Sequence, residues 1–350
     1  MSIWEQQRRF RKTLDKRRQE YPKSVIGMWK EVMRERIEAN WYLVDFRAFR
    51  GDCHSHTTHS DGIGTVADNA HFKEVSGMDF LFITDHMGVT QKRECLRHDG
   101  IWWGQEPGTQ HHHLGILGLN RRYEVFRDLS VDYNEILDRG GVPFIPHPTG
   151  WFPSTRYSEE QKQSLDLLGP RFNIEIINGA NQVYDCFDVT DAMSIELWDQ
   201  YLAKGCRVSA MGNSDAHLPI AIGDIWNGVF ADELSMEAVM AAITEGNLFV
   251  SDAPVLNWTC PGEKAIMGDV IEKKAGSALS FDYVCADSLG IGSVRIIRDG
   301  EVEFELKHRE ETIFSGTHEA TFTGGHASWR LECLATDGRR AYSNPIYVTE

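Results

Sequence analysis

The stretch GDCHSHTTHSDG, residues 51–62, carries the first side chains in this chain that could do chemistry together. On a strand, His54 and His56 point to the same side with Cα atoms ~6.5–7 Å apart, so one metal ion can take both. Asp61 follows in the turn after that strand and could bridge to a neighbouring ion. An HxH pair alone is weak, because a strand histidine is commonly a surface or satisfied core residue. Recurrence strengthens it: FLFITDH ends in Asp85 and His86, VPFIPHP carries His147, and VSAMGNSDAH ends in Asp215 and His217. Further donors must come from the Gly- and Trp-rich connection between Gly88 and Arg121, which holds Glu106 in WWGQEPG and the run His111, His112 and His113.

Imidazole and carboxylate donors without thiolate suit Zn, Mn or Fe, whereas all-oxygen sites suit Mg or Ca. Clustered divalent ions lower the pKa of a bound water and clamp substrate oxygens as charge develops. The expected chemistry is therefore hydrolysis by a metal-bound hydroxide at a site of two or three ions. Glu175, at the end of an apolar run, reads as a group that holds a ligand in place. Arg93, Arg97 and Arg156 lie in loops near the motifs and are candidate contacts for an anionic substrate. His59, His71, His98, His308, His318 and His326 lack partners at ligand spacing and read as surface or structural residues.

The elements that must position these groups are short apolar runs at 80–83, 142–145, 172–177 and 208–211, separated by longer polar or helical stretches such as 121–139 and 235–245. That alternation predicts a largely parallel sheet or barrel, in which strand C-termini converge on one face. After Asp252 the texture changes to Ser-, Gly- and Thr-rich turns between segments at 278–285, 292–298, 328–335 and 345–349. These predict an antiparallel sandwich of roughly 100 residues. Asp299-Gly300 is a hairpin signal between two of its strands. Residues 1–46 read as helical and split at Pro22, and Trp29, Val32, Met33, Arg36 and Ile37 lie at helical spacing. Such a stripe packs on the next domain or forms a subunit contact in a homo-oligomer. The expected units are 1–46, 47–252 and 253–350.

A net charge of -16 disfavours nucleic acid as the main partner, because phosphate binding is driven by Lys and Arg. A small-molecule substrate fits better. The seven cysteines contain no CxxC pair and read as reduced thiols. The basic N-terminus is not followed by an apolar stretch, so neither a secretory signal nor a membrane span is expected there, and the cytoplasm is the expected location.

In this order of motifs the chain resembles the polymerase and histidinol phosphatase superfamily, known as PHP. The shared pattern is HxH with an Asp seven residues after the first His, an Asp-His pair, a Glu in a loop, a His, a His-Pro and a final Asp-x-His. Here these fall on His54, His56, Asp61, Asp85-His86, Glu106, His113, His147-Pro148 and Asp215-x-His217, over about 200 residues. The segment HLGILG is similar to one in a carbaryl-hydrolase-like branch and favours His113 over its two neighbours. EIING around Glu175 and SNPIYV at 343–348 resemble the same branch, so the sandwich looks like part of it. The resemblance implies a distorted (β/α)7 TIM-like barrel and three metals. His54, His56, Glu106 and Asp215 would hold one, Glu106, His113 and His147 a second, and Asp61, His86 and His217 a third, with Asp85 orienting a ligand rather than binding. The activity implied is that of a phosphoesterase on a small phosphate mono- or diester. Alternatives are a carbamate, ester or amide hydrolase with the same metals, and a non-catalytic scaffold.

Overall fold

The computed structural model describes residues 23–86, 88–108, 113–124, 128–150, 156–179, 189–307 and 311–350. The first predicted helical segment, His111, His112, His308 and Cys186 lie outside them. Helix α1 (Lys23–Tyr42) leads into β1 (Phe49–Asp52), α2 (Val66–Val75), β2 (Phe80–Ile83), α3 (Lys92–Cys95), β3 (Ile101–Gln105), β4 (Gly115–Leu117), α4 (Leu129–Asp138) and β5 (Val142–Phe144). Then follow α5 (Glu159–Ser164), β6 (Arg171–Asn178), α6 (Val189–Ala203), β7 (Arg207–Asn213), β8 (Trp226–Val229), α7 (Met236–Glu245) and β9 (Leu248–Ser251). Thr65 caps α2 in a reciprocal box with Asp68, and Ser235 caps α7, so both helices begin where turn chemistry satisfies their free N–H groups.

Strands β1, β2 and β3 pair in parallel, β4 runs antiparallel between β3 and β5, and β6 and β7 pair in parallel. Among the described residues a continuous barrel ladder is not formed. The edge of β1 that β7 would need is taken by β8, which pairs antiparallel over Phe49–Gly51. Only beyond that segment does β7's continuation reach β1's, through the isolated bridge Ser55↔Ala216, while Ile145↔Ile174 is the bridge between β5 and β6. The structure is therefore mixed α/β with a large sheet and a β6–β7 pair linked to β5 and β1 by single bridges, and the expected distorted (β/α)7 barrel is not shown as one ladder among the described residues. The segment read as one long loop between Gly88 and Arg121 contains β3 and β4, and the helix expected from 121 begins at Leu129.

The C-terminal strands are β10 (Val255–Cys260), β11 (Ala265–Ile266), β12 (Val270–Glu272), β13 (Ala278–Ala286), β14 (Ile291–Arg298), β15 (Glu301–Lys307), β16 (Ile313–Thr321), β17 (His326–Ala335), β18 (Arg340–Ser343) and β19 (Ile346–Thr349). β11-β10-β13-β16 form one sheet. The others extend the sheet that carries β1, through β18 on β9 and β9 on β8. The pairing is antiparallel as expected except for β12 beside β19. Asp299 and Gly300 adopt φ of 50° and 85°, as the turn between β14 and β15 requires.

One apolar core runs from Ile37 and Trp41 of α1 through Leu81 and Trp226 to Trp258, Phe281 and Trp329. The predicted stripe of α1 is only partly buried. Ile37 and Arg36 are inside, whereas Trp29 and Val32 are exposed, because the helix docks through Arg36 on Asp287 and Asp337 and through Asn40 on Ala253 O. No helix among the described residues is long and apolar enough to cross a membrane.

Candidate metal centre

Past Asp52 the chain bridges to the segment after β7 at Ser55 and Ala216, and His56 N donates to Ala216 O at 3.0 Å. His54 and His56 consequently present their rings on the same side, with centroids 5.2 Å apart. His86 follows the end of β2, Glu106 the end of β3, His147 the end of β5, and Asp215 and His217 the end of β7. His113 arrives differently. It precedes β4, and because β4 runs antiparallel to its neighbours, the start of β4 lies at the end where the other strands finish. All nine predicted donors meet there.

Glu106 is the hub. Its Oε1 lies 2.9 Å from His113 Nδ1 and 2.9 Å from His147 Nε2. Its Oε2 lies 3.2 Å from His54 Nε2, 3.4 Å from His56 Nε2 and 3.3 Å from His86 Nδ1. Asp215 Oδ1 completes the His54–His56 group at 3.2 and 3.0 Å. Asp61 Oδ2 faces His217 Nε2 at 3.3 Å and His86 Nε2 at 3.5 Å. Donor atoms within 4.8 Å of one another fall into three overlapping groups: His54, His56, Glu106 and Asp215; His56, Asp61, His86 and His217; and His86, Glu106 and His113. Two follow the expected sets closely. In the third, His86 stands where His147 was expected, since His86 lies between Asp61 and Glu106, while His147 reaches the same Glu106 oxygen as His113.

The donor set fits divalent cations on an observation independent of composition. His54 Nε2, His56 Nε2, Asp61 Oδ1 and Asp215 Oδ1 are buried without a hydrogen-bond partner, and buried polar atoms are seldom left so. The tautomers agree. His54 Nδ1 is held by Glu175 Oε1 at 3.1 Å, His86 Nδ1 by Glu106 O at 2.8 Å, and His217 Nδ1 by Asp215 O at 2.9 Å. Each ring thus donates from Nδ1 and turns the lone pair of Nε2 into the cluster, the usual arrangement around a metal. His147 and Asp215 also adopt positive φ, 29° and 46°, a strain of about 1–3 kcal/mol each that persists where the surroundings dictate it.

Charge coupling within the cluster is strong. Burial opposes a charged His54, yet Asp215, Glu106 and Glu175 raise it well above the usual imidazole range. Burial likewise opposes charge on His86 and His217, but Glu106 and Asp61 raise the first to about 10, and Asp61 and Asp215 raise the second to about 9. Glu106, Asp61 and Asp215 are held low by these histidines against the cost of burial. A raised histidine pKa stabilises the metal-free protein below about pH 6.5, and that contribution is lost as pH rises through about 9–10. Metal competes with those protons, so affinity should climb with pH and binding at pH 7 should release protons. Calorimetry in two buffers of different ionisation enthalpy measures the release, and none at all would contradict this arrangement.

Two further carboxylates, Asp85 and Glu175, stand beside the cluster. Asp85 accepts from Thr57 N (2.8 Å), Thr57 Oγ1 (2.7 Å) and Ser60 Oγ (2.6 Å), which fixes the turn leading to Asp61. Glu175 has both oxygens engaged, one by His54 and Asn213, the other by His147 N and Asn178. Glu175→Gln should weaken metal affinity about 10–100-fold without removing a donor, as loss of such partners does. Unchanged affinity by titration would show the contact to be incidental.

Sequence reasoning missed several partners. Asp52, fully buried, accepts from His54 N and Ser214 N, and burial pushes its carboxyl up to about 7. Asn178 ties Glu175 to Asp215, and Tyr157 Oη donates to His113 O. The signal for Asp52 was a carboxylate at the end of a strand, two residues before the HxH. Arg93, Arg97 and Arg156 are exposed and belong to none of the ion pairs that hold the cluster. His59 lies within hydrogen-bonding distance of Thr90 and Glu94.

Among solved structures, the chain is similar to the lesion-specific endonuclease PfuEndoQ from Pyrococcus furiosus, at 15% identity and TM-score 0.42, over 56% of each chain. It thus spans a little over half the length of that protein. It is also similar to a Bifidobacterium adolescentis protein provisionally described as a metal-dependent phosphoesterase, at 12% identity and TM-score 0.34, over 48% of this chain and 87% of the other. The fibronectin(III)-like modules of Clostridium thermocellum CbhA match 26% of this chain and 92% of their own, at 16% identity and TM-score 0.20. No curated protein matches. Residues 200–248, which include the turn that brings Asp215 and His217 into the cluster, match the PHP-associated family model PHP_C.

Proposed function

We propose that this chain is a metal-dependent hydrolase acting on a small phosphate mono- or diester at a site of two or three Zn, Mn or Fe ions. The observation that carries the reading is Glu106, whose two oxygens each face a separate set of imidazoles. Ions bound there would acidify a water and offset charge developing on substrate oxygens. The protein holds every donor in place beforehand: Glu175, Asp85, Asp52 and Asn178 fix the rings and carboxylates, so little reorganisation accompanies reaction. His54 and His56 are fully buried, whereas His217, Asp61 and His86 retain 38, 30 and 24% exposure. Substrate therefore approaches along the Asp61–His86–His217 edge. His217 also stands nearest solvent as a proton carrier for the leaving oxygen.

A second reading rests on its own observation. Among the described residues no Arg or Lys side chain is ion-paired with the donors, so a cationic clamp for phosphate is supported only by exposed residues such as Arg156. A carbamate, ester or amide carbonyl needs no such clamp.

Protein purified without chelator should contain Zn, Mn or Fe by elemental analysis, lose turnover on chelation and regain it with one of these ions. Phosphomonoesters, phosphodiesters and carbamates, with a nucleic acid as comparison, identify the bond. Full turnover after complete chelation would refute a metal-dependent reaction, and cleavage of carbamates alone would refute the phosphoester.

A further inference from the structure

Cys285 and Cys333 lie on opposite sheets of the C-terminal sandwich, Cys285 on β13 in the four-stranded sheet and Cys333 on β17 in the large one. Both are buried, at 0 and 2% exposure. Four residues earlier on each strand, Phe281 and Trp329 meet across the sheets with ring centroids 5.3 Å apart. Trp258 stacks on Phe281 and donates its Nε1–H to Trp329 O at 2.9 Å. Side chains on a strand repeat every second residue, so 281 and 285 share one inward face and 329 and 333 the other. The cross-sheet contact of the aromatic pair thus places the two cysteines four residues further along facing strands, both within the same buried core.

We propose that Cys285 and Cys333 are a modification site, closing to a reversible disulfide that staples the two sheets. With a small disulfide such as oxidised glutathione as oxidant, one cysteine thiolate attacks it, forms a mixed disulfide and expels one glutathione thiolate. The second cysteine then attacks its neighbour's sulfur and expels the other. Two protein thiols are oxidised, one glutathione disulfide is reduced to two thiols, and the protons follow the departing thiolates. The neighbouring Cys285 thiol, with burial, holds the Cys333 thiol well above its usual range. Thiolate is thus scarce in the folded sandwich, and exchange proceeds during folding or when the sheets part.

The staple reaches further than the sandwich. β17 pairs with β18, β18 with β9, β9 with β8 and β8 with β1, so Cys333 stands on the same sheet as the strand leading to His54. The bond would tie the otherwise separate β11-β10-β13-β16 sheet to the one that supports the donor cluster. Because it would close a loop of several dozen residues, it should raise Tm by about 5–10 °C over the reduced form.

The test is refolding the full chain from denaturant with and without oxidised glutathione. Oxidised protein should titrate two fewer thiols under denaturing conditions than the seven in the sequence. Peptide mapping should find the Cys285 and Cys333 peptides joined, and the extra thermal stability should disappear on reduction. Cys285→Ala and Cys333→Ala, checked for native circular dichroism, should each keep every remaining thiol. Retention of all seven thiols by wild type, or a bond joining any other pair, overturns the proposal even if the variants fail to fold.

Discussion

Glu106→Gln is expected to disturb two donor groups at once and to lower hydrolysis by more than the 10–100-fold that follows loss of a ligand's hydrogen-bond partner. The carboxylate is 1% exposed, and its two oxygens divide the site, Oε1 toward His113 and His147, Oε2 toward His54, His56 and His86. Two cations a few ångströms apart repel strongly in a water-poor interior, and a shared negative charge offsets that repulsion where a neutral imidazole cannot. Glutamine keeps the volume but brings no charge, and its amide nitrogen is a donor rather than a ligand. His113→Asn should by contrast weaken one group, and His112→Asn should lose least metal if His113 is the ligand of that run. Metal content per chain of the three variants, each checked for native circular dichroism, ranks them. Full occupancy in Glu106→Gln would refute the bridging role, and equal losses in the two histidine variants would refute the assignment within the triple histidine.

The positions of the donors were legible because each apolar run ends in groups that are costly to bury unpaired, so their recurrence at strand ends has one economical explanation. His54, His56, His147 and Asp215 are all where that reasoning puts them. What remained hidden depended on pairing partners distant in sequence. IWWGQ looks like a Gly- and Trp-rich loop, yet Ile101–Gln105 becomes a strand because β2 offers it a parallel edge and β4 an antiparallel one. The reversed direction of β4, which delivers His113 from a strand's start, leaves no local mark. Nor does the capture of β1's edge by β8, which interrupts the barrel ladder. Asn178 and Asn213 are polar residues at strand ends like many others, and only the assembled site reveals that both bond Glu175. The stripe on α1 was real in spacing but predicted too much burial, since helical period alone does not say how wide the docking surface is. Trp29 and Val32 fall outside it.

Removing residues 253–350 is expected to yield insoluble chain without metal, although none of the nine donors lies in that segment. The cut would strip β18 from β9, exposing the backbone of Phe249–Ser251 as a new sheet edge, and such edges recruit other chains. It would also open the core that supports β7, where Tyr342 and Tyr347 pack with Ile174, Val208 and Ala210. The polar losses are equally direct. Asn344 accepts from Ala210 N at 2.7 Å and donates to Ala210 O and Leu248 O, and Tyr347 Oη donates to Val208 O at 3.1 Å. On α1, Arg36 would lose Asp287 and Asp337, and stranding one partner of a buried ion pair costs about 3–5 kcal/mol. Since β7 ends at the turn bearing Asp215 and His217, loosening its outer face loosens the metal centre. Asn344→Ala separates this from simple loss of bulk. It deletes three hydrogen bonds at one point and leaves Ala210 N and O buried without that partner, at about 1–3 kcal/mol for each unsatisfied group, so it should lower both Tm and metal affinity while the chain stays soluble. Native metal content and turnover in a soluble 1–252 fragment would show instead that the strands before Asp252 hold the donors by themselves.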